Sequence, residues 1–193
     1  VPESLHGFSN WLSPVFAASP AEMKIELART ELANFAGDRQ YNALAGALIA
    51  RARETGDDSF FSLAEQALER ARQLAPSNLD TESVAISLLL GKREYAEALE
   101  RARALSKRAP DNVTSYDYIV DAAAALGKYP EAEQAAQWML NLRPSYVISL
   151  TRAALMREVF GDSDGAVELM QRAYQQINPH DVEERASNPT RIA

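Results

Sequence analysis

A chain of 193 residues, 47% hydrophobic and 24% charged, can bury a sizeable core. Its formal net charge of −7 argues against nucleic acid, which calls for a basic stripe, and no apolar run approaches the ~20 residues that span a bilayer. The absence of cysteine excludes disulfides and thiolate metal sites but leaves the compartment open. The first residue is Val1 rather than Met, so a cytoplasmic chain and an exported one that has lost a leader are both consistent with it.

Residues 1–18 carry Phe8, Trp11, Leu12, Val15 and Phe16 among serines and prolines, and no helical period holds for long. They read as an irregular aromatic leader laid over the first helices; the other reading is a docking segment for a second chain. Ser19-Pro20-Ala21-Glu22 is a helix start, with a capping serine, proline at the first position and glutamate three residues on. An extra helix over 19–37 follows, with Ile25, Ala28, Leu32 and Phe35 at helical spacing and Gly37 as its stop.

Four two-helix units come next, over 38–76, 77–110, 111–144 and 145–180. The first presents Tyr41, Leu44, Ala45 and Leu48, then Phe60, Ala64, Leu68 and Ala71. Ala45 and Ala64 are the small residues expected where its helices cross, and they lie farther apart in sequence than Val120 and Ala132 of the third unit. That spacing predicts a leading helix about two turns longer than its counterparts, running to Gly56. The second unit has Val84, Ala85, Leu88 and Leu89, then Tyr95, Ala98, Leu99, Ala102 and Leu105, with no large aromatic in its leading helix. In the third, Tyr116, Ile119, Val120 and Ala123 precede a turn at Gly127; Ala132, Ala135, Ala136 and Met139 follow it. Trp138 reads as packing between successive units, with an exposed convex hot spot as the alternative. The fourth has Leu150, Ala153 and Ala154, a turn at Gly161, then Ala166, Met170 and Ala173; Arg157 stands where an aromatic or leucine is common, a sign of weaker packing or of a polar contact. Over 181–193, Asp181 caps the start of a further helix or opens a disordered tail, which Ser187-Asn188-Pro189 interrupts. The polar cap that a solenoid needs is missing there, so either more chain follows or the exposed end meets a second chain.

Pro76, Pro110, Pro144 and Pro179 close these units at intervals of 34, 34 and 35 residues. A 34-residue repeat of two helices closed by proline resembles the tetratricopeptide repeat, over most of the chain. The resemblance implies an all-α, right-handed solenoid of antiparallel helix pairs whose leading helices line a concave groove for a partner. The inward positions it assigns are Arg39, Asn42, Gly46 and Ile49 in the first unit, and Ser83 and Ser87 in the second. In the third they are Thr114, Asp117, Asp121 and Ala124, and in the fourth Ile148, Thr151, Leu155 and Glu158. Asp117 and Asp121, four apart on one helix face, repel by about 0.2–0.5 kcal/mol. Such a pair points to a basic or amide-rich partner, or else to a merely solvated face. The lysine and asparagine arrangement with which some members of that family grip a terminal carboxylate is missing here, so an acidic C-terminal tail is not the expected ligand.

Catalysis has no seat in this pattern. The two histidines, His6 and His180, stand in opposite irregular ends, and no glycines form a phosphate-cradling loop. Asp162-Ser163-Asp164-Gly165 lacks the further oxygen ligands of a calcium loop and reads as acidic helix capping. No enzyme activity, cofactor or metal is expected. The function that the resemblance implies is a protein-interaction module holding a peptide or helix. The alternatives are self-assembly or docking through the chain ends, carried by Trp11, Phe16 or the last repeat, and a ligand-sensing domain, which would need an enclosed pocket.

Overall fold

The computed structural model describes residues 19–177, and every regular element among them is helical. The order is α1 (Pro20–Asn34), α2 (Asp38–Thr55), α3 (Ser59–Leu74), α4 (Leu79–Gly91), α5 (Tyr95–Arg108), α6 (Val113–Ala125), α7 (Tyr129–Leu142), α8 (Val147–Val159) and α9 (Ser163–Gln176). The leader and the 181–193 helix start expected from the sequence lie outside the described residues.

Local chemistry sets the boundaries. Ser19 and Glu22 form the reciprocal capping box at α1, with Ser19 Oγ accepting from the Glu22 amide and Glu22 Oε2 from the Ser19 amide. Asn78 and Asn112, each two residues past a proline, accept from the amides of Asp80 (2.7 Å) and Thr114 (3.0 Å). Tyr146, at the same place in the fourth unit, offers no side-chain cap. The turn after each later inner helix needs one left-handed residue, supplied by Gly127 (φ 72) and Gly161 (φ 83), but by Arg93 (φ 64) in the second unit. An L-residue carries strain there that glycine avoids. Gly37 does not act as a left-handed stop. It has an extended backbone and is the N-cap of α2, while α1 ends on Phe35, whose side chain is exposed.

The helices form two layers. α2, α4, α6 and α8 touch in succession along the inner layer, and α3, α5, α7 and α9 lie outside them. α1 packs on α2. α2 is 18 residues long against 13 for each later inner helix, about one and a half turns more where the spacing of Ala45 and Ala64 predicts two. Both alanines are fully buried at that crossing. The core is a ribbon of three clusters: one around α2, α3 and the start of α4, one from α4 to α7 that reaches Met156, and one between α8 and α9. A buried hydroxyl recurs early in each later inner helix, at Thr81, Ser115 and Ser149. Ser115 Oγ donates back to the Asn112 carbonyl at 2.7 Å.

Ion pairs brace the outer layer and tie it to the inner one. Arg103 of α5 makes two 2.7 Å bonds to Glu131 of α7, and Arg101 grips Glu82 of α4. Three details differ from the pattern read off the sequence. In α3 it is Phe61, not Phe60, that is buried; in α4 Ile86 is sealed while Val84 is half-covered. Trp138 does not pack between units: it remains 49% exposed and stacks on Tyr116 of its own unit, with ring centroids 6.4 Å apart. The expected polar contact of Arg157 is an exposed pair with Asp162 at 3.2 Å.

Candidate binding face on the inner helices

The inner layer presents one face on which four helices bring polar groups together. Its first junction, between α2 and α4, is neutral and buried at one end. Asn42, only 7% exposed, donates through Nδ2 to Thr81 Oγ1 at 2.9 Å. The longer α2 then carries Arg53 past the α2 core, where Nη2 donates to the Ser87 carbonyl at 3.0 Å. The next junction, between α4 and α6, is apolar, with Tyr118 packed against the cluster of Ile86 and Leu89. Burial, then the Asp117 charge, pushes the Tyr118 phenol up to about 12; at neutral pH it is a hydrogen-bond donor, as any phenol is. Its hydroxyl has no partner among the described residues.

The last junction, between α6 and α8, is ionic. Arg152 lies between the two aspartates, with Nε donating to Asp117 Oδ1 at 2.5 Å and Nη2 to Asp121 Oδ2 at 2.9 Å. All three side chains are partly buried, so their attraction is screened less than that of a solvated surface pair, against the cost of taking three charges partly out of water. Burial raises the Asp121 carboxyl, opposed by Arg152 and aided by the neighbouring Asp117 charge. Burial alone would lower Arg152, but its bonds to Asp117 and Asp121 outweigh this and raise it. The repulsion between the two aspartates is thus offset from inside the chain by a cation one repeat farther on.

The sequence-derived positions fall into three groups. Arg39, Thr114, Ile148, Leu155 and Glu158 are exposed. Gly46, Ser83, Ser87, Asp117, Asp121, Ala124 and Thr151 are half-buried; Ser87, Asp117 and Asp121 belong to the inter-helix contacts just described. Asn42 and Ile49 are buried: Ile49 is 2% exposed and shares a cluster with Ala85 and Leu88 of α4, so its side chain offers a ligand nothing. Sequence reasoning missed Arg53, Tyr118 and Arg152. The signal for Arg152 was present, since one basic residue in α8 faces an acidic pair one repeat earlier. No group of metal-ligating side chains occurs among the described residues. Two open clefts of about 720 and 800 Å³ lie at the turns that precede α6 and α8 and beside Arg53 and Lys92.

Comparison with solved structures places this architecture. A MamA fragment (residues 41 to the end) from Desulfovibrio magneticus RS-1 is 15% identical, matching 86% of this chain and 99% of its own, with a TM-score of 0.56. TTC0263, a thermophilic TPR protein in Thermus thermophilus, is 18% identical over 81% of this chain and 74% of its own, also at 0.56. YrrB, described as a TPR protein with an unusual peptide-binding site, is 13% identical over 86% of this chain and 83% of its own, at 0.54. No family model matches the chain, and no curated protein matches it in sequence. At these identities the likeness establishes the fold: the chain is an all-α solenoid of tetratricopeptide type.

Proposed function

We propose that the protein is a non-enzymatic interaction module that holds a peptide or helix on the face lined by α2, α4, α6 and α8. The observation that carries this reading is the row of polar groups from Arg53 through Tyr118 to Asp117, Asp121 and Arg152. It fixes the inner helices relative to one another and leaves a phenol donor without a partner. A preorganised surface of this kind spends little of its binding energy on ordering itself. Two carboxylates against one guanidinium leave the α6–α8 junction with a formal charge of −1, while Arg53 on the α2 side balances the row as a whole, so a bound segment is favoured with its lysine or arginine over α6 and α8. YrrB, a protein of the same fold described as having a peptide-binding site, agrees with this reading.

The test is selection of binders from a displayed random-peptide library, scored against Ser83→Arg/Thr114→Arg. This variant crowds the inner face without touching the Asp117–Asp121–Arg152 bridge. Gln137→Arg, on exposed α7 surface, is the control. The selected peptides are expected to be rich in lysine or arginine, to lose at least about tenfold in affinity (~1.4 kcal/mol) to the double variant, and to keep it with the control. Peptides indifferent to the double variant, or sensitive only to Gln137→Arg, would move binding off this face.

A further inference from the structure

Charge is sorted along the side of α4 that meets α3 and α5. Where α4 ends, Lys92 is neutralised by Glu65 of α3 at 2.8 Å and by Glu94 at 2.9 Å. Where α4 begins, the balance tips to cation. Arg101 of α5 grips Glu82 through bonds of 2.7 and 2.8 Å and touches the more exposed Glu97 at 3.4 Å. The Arg101 hydrogen bond holds the Glu82 carboxyl below its usual range against the effect of burial, and the charges of Arg101, Arg72 of α3 and Arg108 of α5 add to it. Three guanidiniums thus gather around one half-buried carboxylate, in a chain whose net charge is −7. Neither Arg72 nor Arg108 has a carboxylate of its own among the described residues. Arg72 is half-buried and makes no hydrogen bond or ion pair there, and Arg108 reaches only the Ser77 carbonyl, at 3.4 Å.

The repeat does not demand this cluster. Thirty-four residues on, the places of Arg72, Glu82, Arg101 and Arg108 are held by Ser106, Tyr116, Ala135 and Leu142, in helices that keep the same register. That junction is made without charge at these four positions, with Tyr116 stacked on Trp138. Cations drawn together repel unless an anion lies between them, and a guanidinium fork fits a carboxylate or a phosphate through two parallel bonds. We infer that Arg72 and Arg108, beside the Arg101–Glu82 pair, form a second binding site that takes an acidic side chain of a partner peptide, carboxylate or phosphate. Its arginines stand on the outer helices, so the site does not rest on the reading of the α2–α8 face.

Three labelled glycine-serine peptides test this by fluorescence anisotropy at low salt: one carries paired glutamates, one a phosphoserine and one paired glutamines. At least one of the two anionic peptides is expected to bind, and the glutamine peptide is not; which of the two binds identifies the acidic group. The bound peptide should lose at least about tenfold in affinity with Arg72→Gln/Arg108→Gln, and less than about twofold with Lys24→Gln/Arg29→Gln, which removes the same charge from exposed positions on α1. Neither Arg72 nor Arg108 bonds to a side chain, so the first variant should keep its melting temperature. No binding of either anionic peptide, or equal losses in the two double variants, would overturn the inference. Ser77→Glu gives an independent sign. Ser77 is exposed and already within reach of Arg108, so its replacement brings a carboxylate of the chain's own to the cluster and should weaken the peptide at least about threefold. A peptide held as tightly by Ser77→Glu as by the unaltered chain would also overturn it.

Discussion

The junctions at the two ends of the inner layer solve one problem with different chemistry. α2 and α4 are joined by a neutral hydrogen bond, Asn42 to Thr81, sealed from water. α6 and α8 are joined by a guanidinium between two carboxylates, half open to solvent. The first is insensitive to salt and, near neutrality, to pH, although Asn42 Oδ1 stays buried without a partner among the described residues. The second brings three charges out of water for one bridge, and its balance shifts with ionic strength and protonation. A repeat protein is stabilised neighbour by neighbour, so the two ends of this solenoid should respond to different perturbations.

The largest expected effect comes from breaking the ionic junction on one side. Arg152→Met leaves two partly buried aspartates facing each other and should cost about 2–3 kcal/mol, read as a melting temperature lower by about 4–10 °C. Asn42→Ala should cost about 1–2 kcal/mol by chemical denaturation, because it strands the Thr81 hydroxyl, 2% exposed, without its donor. Raising salt from about 20 mM to about 0.5 M sharpens the contrast: the Arg152→Met deficit should shrink by up to about 1 kcal/mol while the Asn42→Ala deficit stays put.

The smallest effect is a matter of sign between about pH 3 and pH 5, followed by thermal melts. The Arg101 hydrogen bond lowers Glu82 below its usual 4.5, so its stabilisation holds above that value and is lost as the pH falls through the lower folded one. Glu82→Gln should therefore flatten the acid loss. Asp121 is raised by burial, so the folded chain takes up its proton first and gains stability at this site as the pH falls. Asp121→Asn should make the acid loss steeper.

Much of this fold is written locally. The Ser19–Glu22 capping box and the spacing of Ala45 and Ala64 each depend on residues within one or two helices; the structure forms the box and lengthens α2, by five residues. The inner face was less legible because its contacts join residues 31 to 39 apart, across the superhelical offset. Asp117 and Asp121 look like an open acidic pair until the rise of one repeat brings Arg152 between them. Arg53 reaches Ser87 from the part of α2 that its counterparts lack, and Ile49 is buried in a cluster to which α4 adds Ala85 and Leu88. Trp138, judged from its buried neighbours Ala135, Ala136 and Met139, looks internal. It sits one step around the helix from that stripe, on the Tyr116 ring.

The most direct test of the account is a double-mutant cycle between Asp117→Ala and Arg152→Met, measured by denaturant unfolding at low and high salt. A bridge that joins α6 to α8 predicts a coupling of about 1 kcal/mol or more at low salt, shrinking as salt rises. A coupling near zero at both would mean that Arg152 does not tie the two helices together, and that Asp117 and Asp121 are a free acidic pair on the face of α6.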